Sequence, residues 1–205
     1  MPKKIAPTFY FIGNHPVIDF VNTVIPIDGK LVDLLGSLAE LLDWMVIAGF
    51  LRKDEAADYV RKWEGGSEET EVLETARTLR NGLAELLGAD KAGHDGSDGI
   101  ETVNRLLKER IVTTRLLRRS DGGFIAERRT LMRTPLELLV PIAEAAVDFF
   151  SRCDSGLVKK CENPDCVLRF YDQSRNATRR WCSQKTCGNR MKVAAFMERR
   201  RQQRE

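Results

Sequence analysis

Through most of the first 150 residues apolar side chains return every third or fourth position, the period of helices that bury one side. In "SLAELLDWMVIAG" Ser37 and Glu40 stand in capping-box spacing and Gly49 closes the run, which predicts a helix. "DEAADYVRKW" reads as a second, ended by Gly65 and Gly66. The strongest pattern follows the acidic "EETE", where Val72, Ala76, Leu79, Leu83 and Leu86 make one stripe. Earlier, "HPVIDFVNTV" has the pattern of a short helix. Asp98 with Glu101 opens another that runs to about Lys108, behind a polar stretch, "ADKAGHDGSDG", that reads as a mobile loop. The period then changes. "IVTTRLLRR" and "GFIAERRT" are strand-like and flank "SDGG", which predicts one hairpin. Thr134, Pro135 and Glu137 next cap a helix reaching about Arg152, and "CDSG" follows as the expected domain boundary. The fold class is therefore α+β, with a mainly helical domain over residues 1–153 that carries a small β-hairpin or sheet, and a second domain over residues 158–205.

Composition narrows the setting. The chain has 205 residues, 42% of them hydrophobic, enough for a sizeable core. The start "MPKKIAPTFYF" has no long apolar run or small-residue cleavage site, and the richest apolar stretches are too short for a bilayer or are broken by Glu137 and Glu144. A cytoplasmic protein with no membrane partner is expected. The net charge of +3 hides an asymmetry: residues 159–205 hold 13 Lys and Arg against 5 Asp and Glu, whereas residues 1–158 hold 20 against 25. A basic end on an acidic body suits a chain whose end meets a polyanion.

The end also holds four of the five cysteines, as two pairs with four residues between the members of each: Cys161 and Cys166, then Cys182 and Cys187. Clustering of this kind argues against a disulfide framework and for a local metal site. Asn163 and Pro164 make a tight turn within the first pair, and Ser183 can cap a helix that carries the second. A turn and a helix start are a geometry that suits tetrahedral Zn²⁺. Four thiolates leave no open position, so the expected cofactor is one structural zinc ion rather than a catalytic one. Isolated buried thiols are the competing reading, and Cys153 is taken as an ordinary thiol. Strand-like ends in "VLRFYDQSRNATRRW" predict a hairpin between the pairs, giving the knuckle, hairpin and helix order of a treble clef. With zinc bound, the four thiolates and the ion carry −2 together, which leaves the tail at about +6.

The run "CENPDCVLRFYDQSRNATRRWCSQKTCGNRMK" resembles the CGNR zinc finger of bacterial proteins, sharing "FYD", "SRN", "RRWC" and the eponymous "CGNR" at Cys187 to Arg190. The opening "GNHPVIDFVNTV" is similar to the start of the ABATE domain that precedes the finger in that family. The resemblance implies a stress-induced transcription regulator, with a treble-clef finger that binds DNA and an N-terminal domain that binds an unidentified small molecule.

The residues suggest how each half would do so. In the last helix Lys185, Lys192 and Arg199 recur every seven positions along one side, where they can neutralise phosphates. Val193, Phe196 and Met197 form an apolar patch expected to pack on the finger. Asn189 and Arg190 can read base edges of double-stranded DNA, and Arg179 and Arg180 add positive charge. Against this, Asn189 can bond within the finger, Arg190 can offset thiolate charge, and Arg179 and Arg180 can be merely solvated. A protein or RNA partner is the alternative for the whole patch. In the body His15, Asp19 and Asn22 are spaced for one helix face, and Arg80 lies at the edge of the apolar stripe. Together they make either a structural network, with Asp19 paired to Arg80, or a binding site for an anion or amide. A homodimer is a further candidate assembly. No nucleophile motif, phosphate-binding glycine loop or metal-binding pair occurs in residues 1–158, so an enzyme is the minor reading.

Overall fold

The computed structural model describes residues 9–27, 29–88 and 96–203. Most of the segment expected to be a mobile loop, including His94, lies outside them.

The chain opens with α1 (Pro16–Val21), whose proline costs nothing in the first turn and whose cap is His15: the ring Nδ1 accepts from the Val17 amide at 3.3 Å. The hairpin β1 (Val24–Ile27) and β2 (Lys30–Asp33) follows. Helix α2 (Leu38–Ile47) starts as its sequence predicts, with Ser37 Oγ accepting from the Glu40 amide and the Glu40 carboxylate accepting from the Gly36 amide. Next come α3 (Lys53–Trp63), α4 (Ser67–Leu86) and α5 (Ser97–Lys108), then the hairpin β3 (Ile111–Arg118) and β4 (Phe124–Leu131). The predicted helix after Thr134 arrives in two pieces, a 3-10 turn over Pro135–Leu139 and α6 (Val140–Arg152). Pro141 explains the break, because it has no N–H to give to the preceding turn.

One apolar core joins these helices. Leu79 and Leu83 of α4, Trp44 and Met45 of α2, Val17, Ile18 and Phe20 of α1, and Ile142 and Phe149 of α6 are all closed to solvent. Helices α4 and α5 meet backbone to backbone at Gly82 and Gly99, where a Cβ on Gly82 would fall 2.4 Å from the Gly99 Cα. Any side chain there would force the helices apart.

After α6 the chain turns through Ser155–Leu157 into β5 (Val158–Lys160), which pairs antiparallel with β6 (Arg169–Tyr171). This corrects the expected placement of the hairpin. It encloses the first cysteine pair instead of lying between the two pairs, so Cys161–Cys166 is the loop at its tip. The second pair spans a wide, π-type turn at Gln184–Gly188, from which α7 (Asn189–Gln202) leaves. The result is a mostly helical N-terminal region with two-stranded sheets, followed by a zinc-finger-like cluster with a hairpin and a helix. Among the described residues no helix is long and apolar enough to cross a membrane.

The C-terminal part has its own apolar cluster, but half of its non-cysteine members come from elsewhere: Leu168 and Phe170 of the finger pack with Ile25 and Leu34 beside the first hairpin. Body and finger therefore share a core across the segment where the composition marks a boundary.

Candidate metal centre and its junction with the body

All four cysteine sulfurs of the finger lie within 4.8 Å of one another, and all four residues are buried. A tetrahedral ion with Zn–S of about 2.3 Å sets its sulfurs about 3.8 Å apart. Two of the pairs stand at 3.8 Å, Cys166 to Cys182, and 3.6 Å, Cys182 to Cys187. These separations are far too long for disulfides and match one ion held by four thiolates. The donor set is the softest the protein can offer, which favours Zn²⁺ over Mg²⁺ or Ca²⁺. The Asn163 side-chain amide donates to Cys187 Sγ at 3.3 Å, the kind of outer contact that steadies a thiolate ligand.

Among the four thiols, the bond from Cys182 lowers the pKa of Cys166, against the opposing effect of burial. The same contact, with burial, pushes Cys182 up, and burial raises Cys161. Zinc would displace the remaining protons and hold the four residues together.

The loop between β6 and the second pair is organised by Asp172. Its carboxylate is closed to solvent and accepts from Lys159 Nζ at 2.7 Å, Ser174 Oγ at 2.6 Å and the Arg179 amide at 2.9 Å. Burial alone would raise its pKa, but these donors outweigh it and hold the carboxyl well below the usual range. Lys159 also reaches the Ala177 carbonyl. Arg179 turns inward: its guanidinium lies 4.1 Å from the Phe170 ring centre and donates to the carbonyls of Trp181, Cys182 and Ile12. Arg180 pairs with Glu162 at 2.6 Å and lies over the Trp181 ring. The Asn189 side chain donates to the Lys185 carbonyl at 3.1 Å. Lys185, Arg190, Lys192 and Arg199 stand exposed.

Two regions of the chain match known families. Residues 14–152 match ABATE, described as "Putative stress-induced transcription regulator", and residues 158–200 match the CGNR zinc finger. The chain belongs to the ABATE family and carries a CGNR zinc finger. The four-cysteine cluster is the zinc site of that finger. A search of curated proteins found no match.

Within the ABATE region the four candidate ligand residues have separate partners. Asp19 Oδ1 accepts from the Gly13 amide at 2.7 Å, and Arg80 pairs with Asp33 at 2.6 and 2.8 Å rather than with Asp19. Asp33 ends β2, where both Arg77 and Arg80 of α4 reach it. Arg80 also reaches Thr23 Oγ1, but among the described residues its Nε has no partner. His15 caps its own helix, and its ring lies 4.8 Å from that of Phe149. Burial lowers its pKa, opposed by the charge of Asp148.

Asn22 has the most consequential position. Its amide exchanges two hydrogen bonds with the backbone of Arg169, Nδ2 to the carbonyl at 2.9 Å and Oδ1 from the amide at 2.8 Å. A primary amide thus acts as one more peptide group on the free side of β6. Gly13 and Asn14 continue this edge by accepting from the Tyr171 amide at 2.8 Å and donating to its carbonyl at 2.9 Å. The CGNR hairpin is therefore bonded on one edge to itself and on the other to the ABATE region. Sequence spacing put Asn22 on a helix face with His15 and Asp19. It did not reveal that the partner lies 147 residues away. A cavity of about 290 Å³ opens at the same junction, lined by Ile12 and Ile25 from one side and by Leu168, Thr186 and Arg190 from the other.

Asp19 supplies a test of this edge, since it holds the Gly13 amide. Burial raises its pKa from 3.8 to about 6, against hydrogen bonds from Gly13 and Ile12. A folded-state pKa above the unfolded one favours folding below about pH 4 and loses that contribution as pH climbs through about 6. An asparagine in its place would be an uncharged acceptor at every pH. Compared with wild type, Asp19→Asn is expected to gain on the order of 2 kcal/mol of unfolding free energy between about pH 4 and about pH 8, read by urea titration. A difference that does not vary with pH would show that Asp19 does not titrate in this way.

Proposed function

We propose that this ABATE protein is a regulator that binds double-stranded DNA through residues 158–205, with residues 1–153 as a sensing or dimerising domain. One observation carries this reading. Helix α7 has 14 residues and no buried one, and it presents Arg190, Lys192, Arg199, Arg200 and Arg201 against a single acid, Glu198. Such a helix is free to lie in a groove of the duplex, with its cations on phosphates. The apolar patch expected to pack on the finger is exposed instead, with Val193, Phe196 and Met197 half or more open to solvent. Leu168 and Phe170 form the finger's core with Ile25 and Leu34 instead.

Lys185, Arg190, Lys192 and Arg199 are the proposed contacts, with Asn189 and Arg190 nearest to base edges if α7 enters by its N-terminal turn. Arg179 and Arg180 stand behind them, tied to the finger. Coupling of the two domains is supported by the Asn22 and Gly13 bonds to β6, through which a change in the body would bear on the zinc cluster. A second reading, a protein partner on α7, draws on the exposed Val193, Phe196 and Met197. Fluorescence anisotropy of a duplex titrated with the zinc-loaded chain separates the two. DNA binding predicts affinity that falls steeply with salt, and a protein-binding helix predicts little duplex affinity even at low salt.

A further inference from the structure

The β3–β4 hairpin is an arm. Its strands bond to each other over eight residue pairs, from Ile111 opposite Leu131 to Arg118 opposite Phe124, and among the described residues they pack against little else. A lone two-stranded ladder is marginal in water, and this one exposes large apolar side chains as well. Leu116 is 73% exposed and Phe124 59%. An apolar ribbon left in solvent needs a partner, and its charge indicates which one.

Residues 110–133 contain seven arginines, no lysine and two acids, Asp121 and Glu127. Without them, residues 1–158 hold 13 Lys and Arg against 23 Asp and Glu. The arm is thus a concentrated positive ribbon on a strongly acidic body. Its two faces differ. Side chains alternate along a strand, so Val112, Thr114, Leu116 and Arg118 share one face with their partners Arg128, Ala126 and Phe124. All of these are exposed, and no acid is among them. Arg118 lies over the Phe124 ring at 5.0 Å, and Arg119 follows at the tip in an exposed pair with Asp121 at 3.3 Å.

We propose that this face of the arm is a second contact to double-stranded DNA, laid in the major groove. The proposal rests on the reading of the chain as a DNA-binding regulator and adds a site outside the zinc finger. Eight residues per strand give a ribbon roughly 27 Å long. The major groove, about 12 Å wide, admits a two-stranded ribbon. Arg118, Arg119 and Arg128 would meet phosphates or guanine edges, for which the forked guanidinium is well suited. Leu116 and Phe124 would lie against thymine methyl groups. The acidic remainder of the body would be repelled by the duplex and so would keep the arm as its point of approach.

The test uses the zinc-loaded full chain and duplex DNA across a salt series. The charge variant is Arg118→Gln, Arg119→Gln and Arg128→Gln. The apolar variant is Leu116→Thr with Phe124→Thr, which keeps β-forming residues. Retained zinc and an unchanged melting temperature confirm that each variant is folded. A third variant, with residues 115–127 replaced by Asn-Gly, removes the outer ladder altogether. Loss of three phosphate contacts is expected to lower the slope of log affinity on log salt by about 2.7 and affinity near 0.15 M salt by roughly a hundredfold. The apolar variant should lose about tenfold with its slope unchanged. Affinity and slope equal to wild type in all three variants, beside a clear loss in an α7 variant, would overturn the arm and leave the finger reading standing. Arm variants that turn a dimer into a monomer with unaltered duplex contacts would make the arm a contact between copies and overturn it as well. A wild-type chain with no duplex affinity would overturn both readings.

Discussion

Replacing Cys182 with serine is expected to strip the chain of its zinc and to disorder the finger from Cys161 to Gly188. Cys182 is the sulfur with close neighbours on both sides, Cys166 at 3.8 Å and Cys187 at 3.6 Å. Its loss breaks the link between the hairpin's tip and the wide turn below α7. Structural zinc contributes on the order of 10 kcal/mol or more to small fingers, comparable to the whole stability of an ordinary domain. The finger's own apolar residues cannot make up that amount, because Leu168 and Phe170 find much of their cover on Ile25 and Leu34 of the body. The damage should therefore cross the junction. Removal of Leu168 and Phe170 exposes Ile25 and Leu34, and the Asn22 amide loses the ordered strand it bonds to. The helical core around Trp44, Leu79 and Phe149 stays closed. One zinc per wild-type chain and none per variant, by elemental analysis, with most of the helical circular dichroism kept and a lower melting temperature, is the expected result. A variant that keeps its zinc and its melting temperature would show that Cys182 is not a ligand.

The second large effect is expected from α7. Changing Arg190, Lys192 and Arg199 to glutamine removes three of its cations without touching the sulfurs or the Asp172 network. None of the three side chains is buried, so folding and zinc content should be unchanged. Each lost phosphate contact lowers the salt slope by about 0.9, so three lower it by about 2.7 and weaken binding near 0.15 M salt by roughly a hundredfold. Arg179→Gln should behave differently. Its guanidinium braces Phe170 and the carbonyls at the second cysteine pair, so this change is expected to lower the melting temperature. Equal binding by wild type and the triple variant would remove α7 from the interface.

Where the sequence carried local signals it could be read. Ser37 with Glu40, the stripe on α4, and the glycine turn of β3–β4 each specify their element with residues close in the chain, and each stands as expected. The cysteine pairs were legible because a thiolate site needs few residues in a tight spacing. The β1–β2 hairpin was missed although Asp28-Gly29 offered a turn signal between Ile27 and Lys30, because Pro26 argued against a strand and each strand has only four residues. The finger's hairpin was misplaced for a different reason. Strand β5 is three residues long, too short for alternation to mark it, and its partner lies across the first cysteine pair. The roles of Asn22, Asp172 and Arg179 were hidden because many of their partners, among them backbone groups and the Lys159 ammonium, come close only on folding. A buried aspartate beside two aromatics in "FYD" was the one available hint at Asp172.

Amide hydrogen exchange of the zinc-loaded full chain, with and without saturating duplex, tests the central claim most directly. Slowed exchange over Gln184–Gly188 and α7 on duplex binding is the predicted result, because the helix would pass from full exposure to a groove. Duplex bound with exchange in α7 unchanged would contradict it.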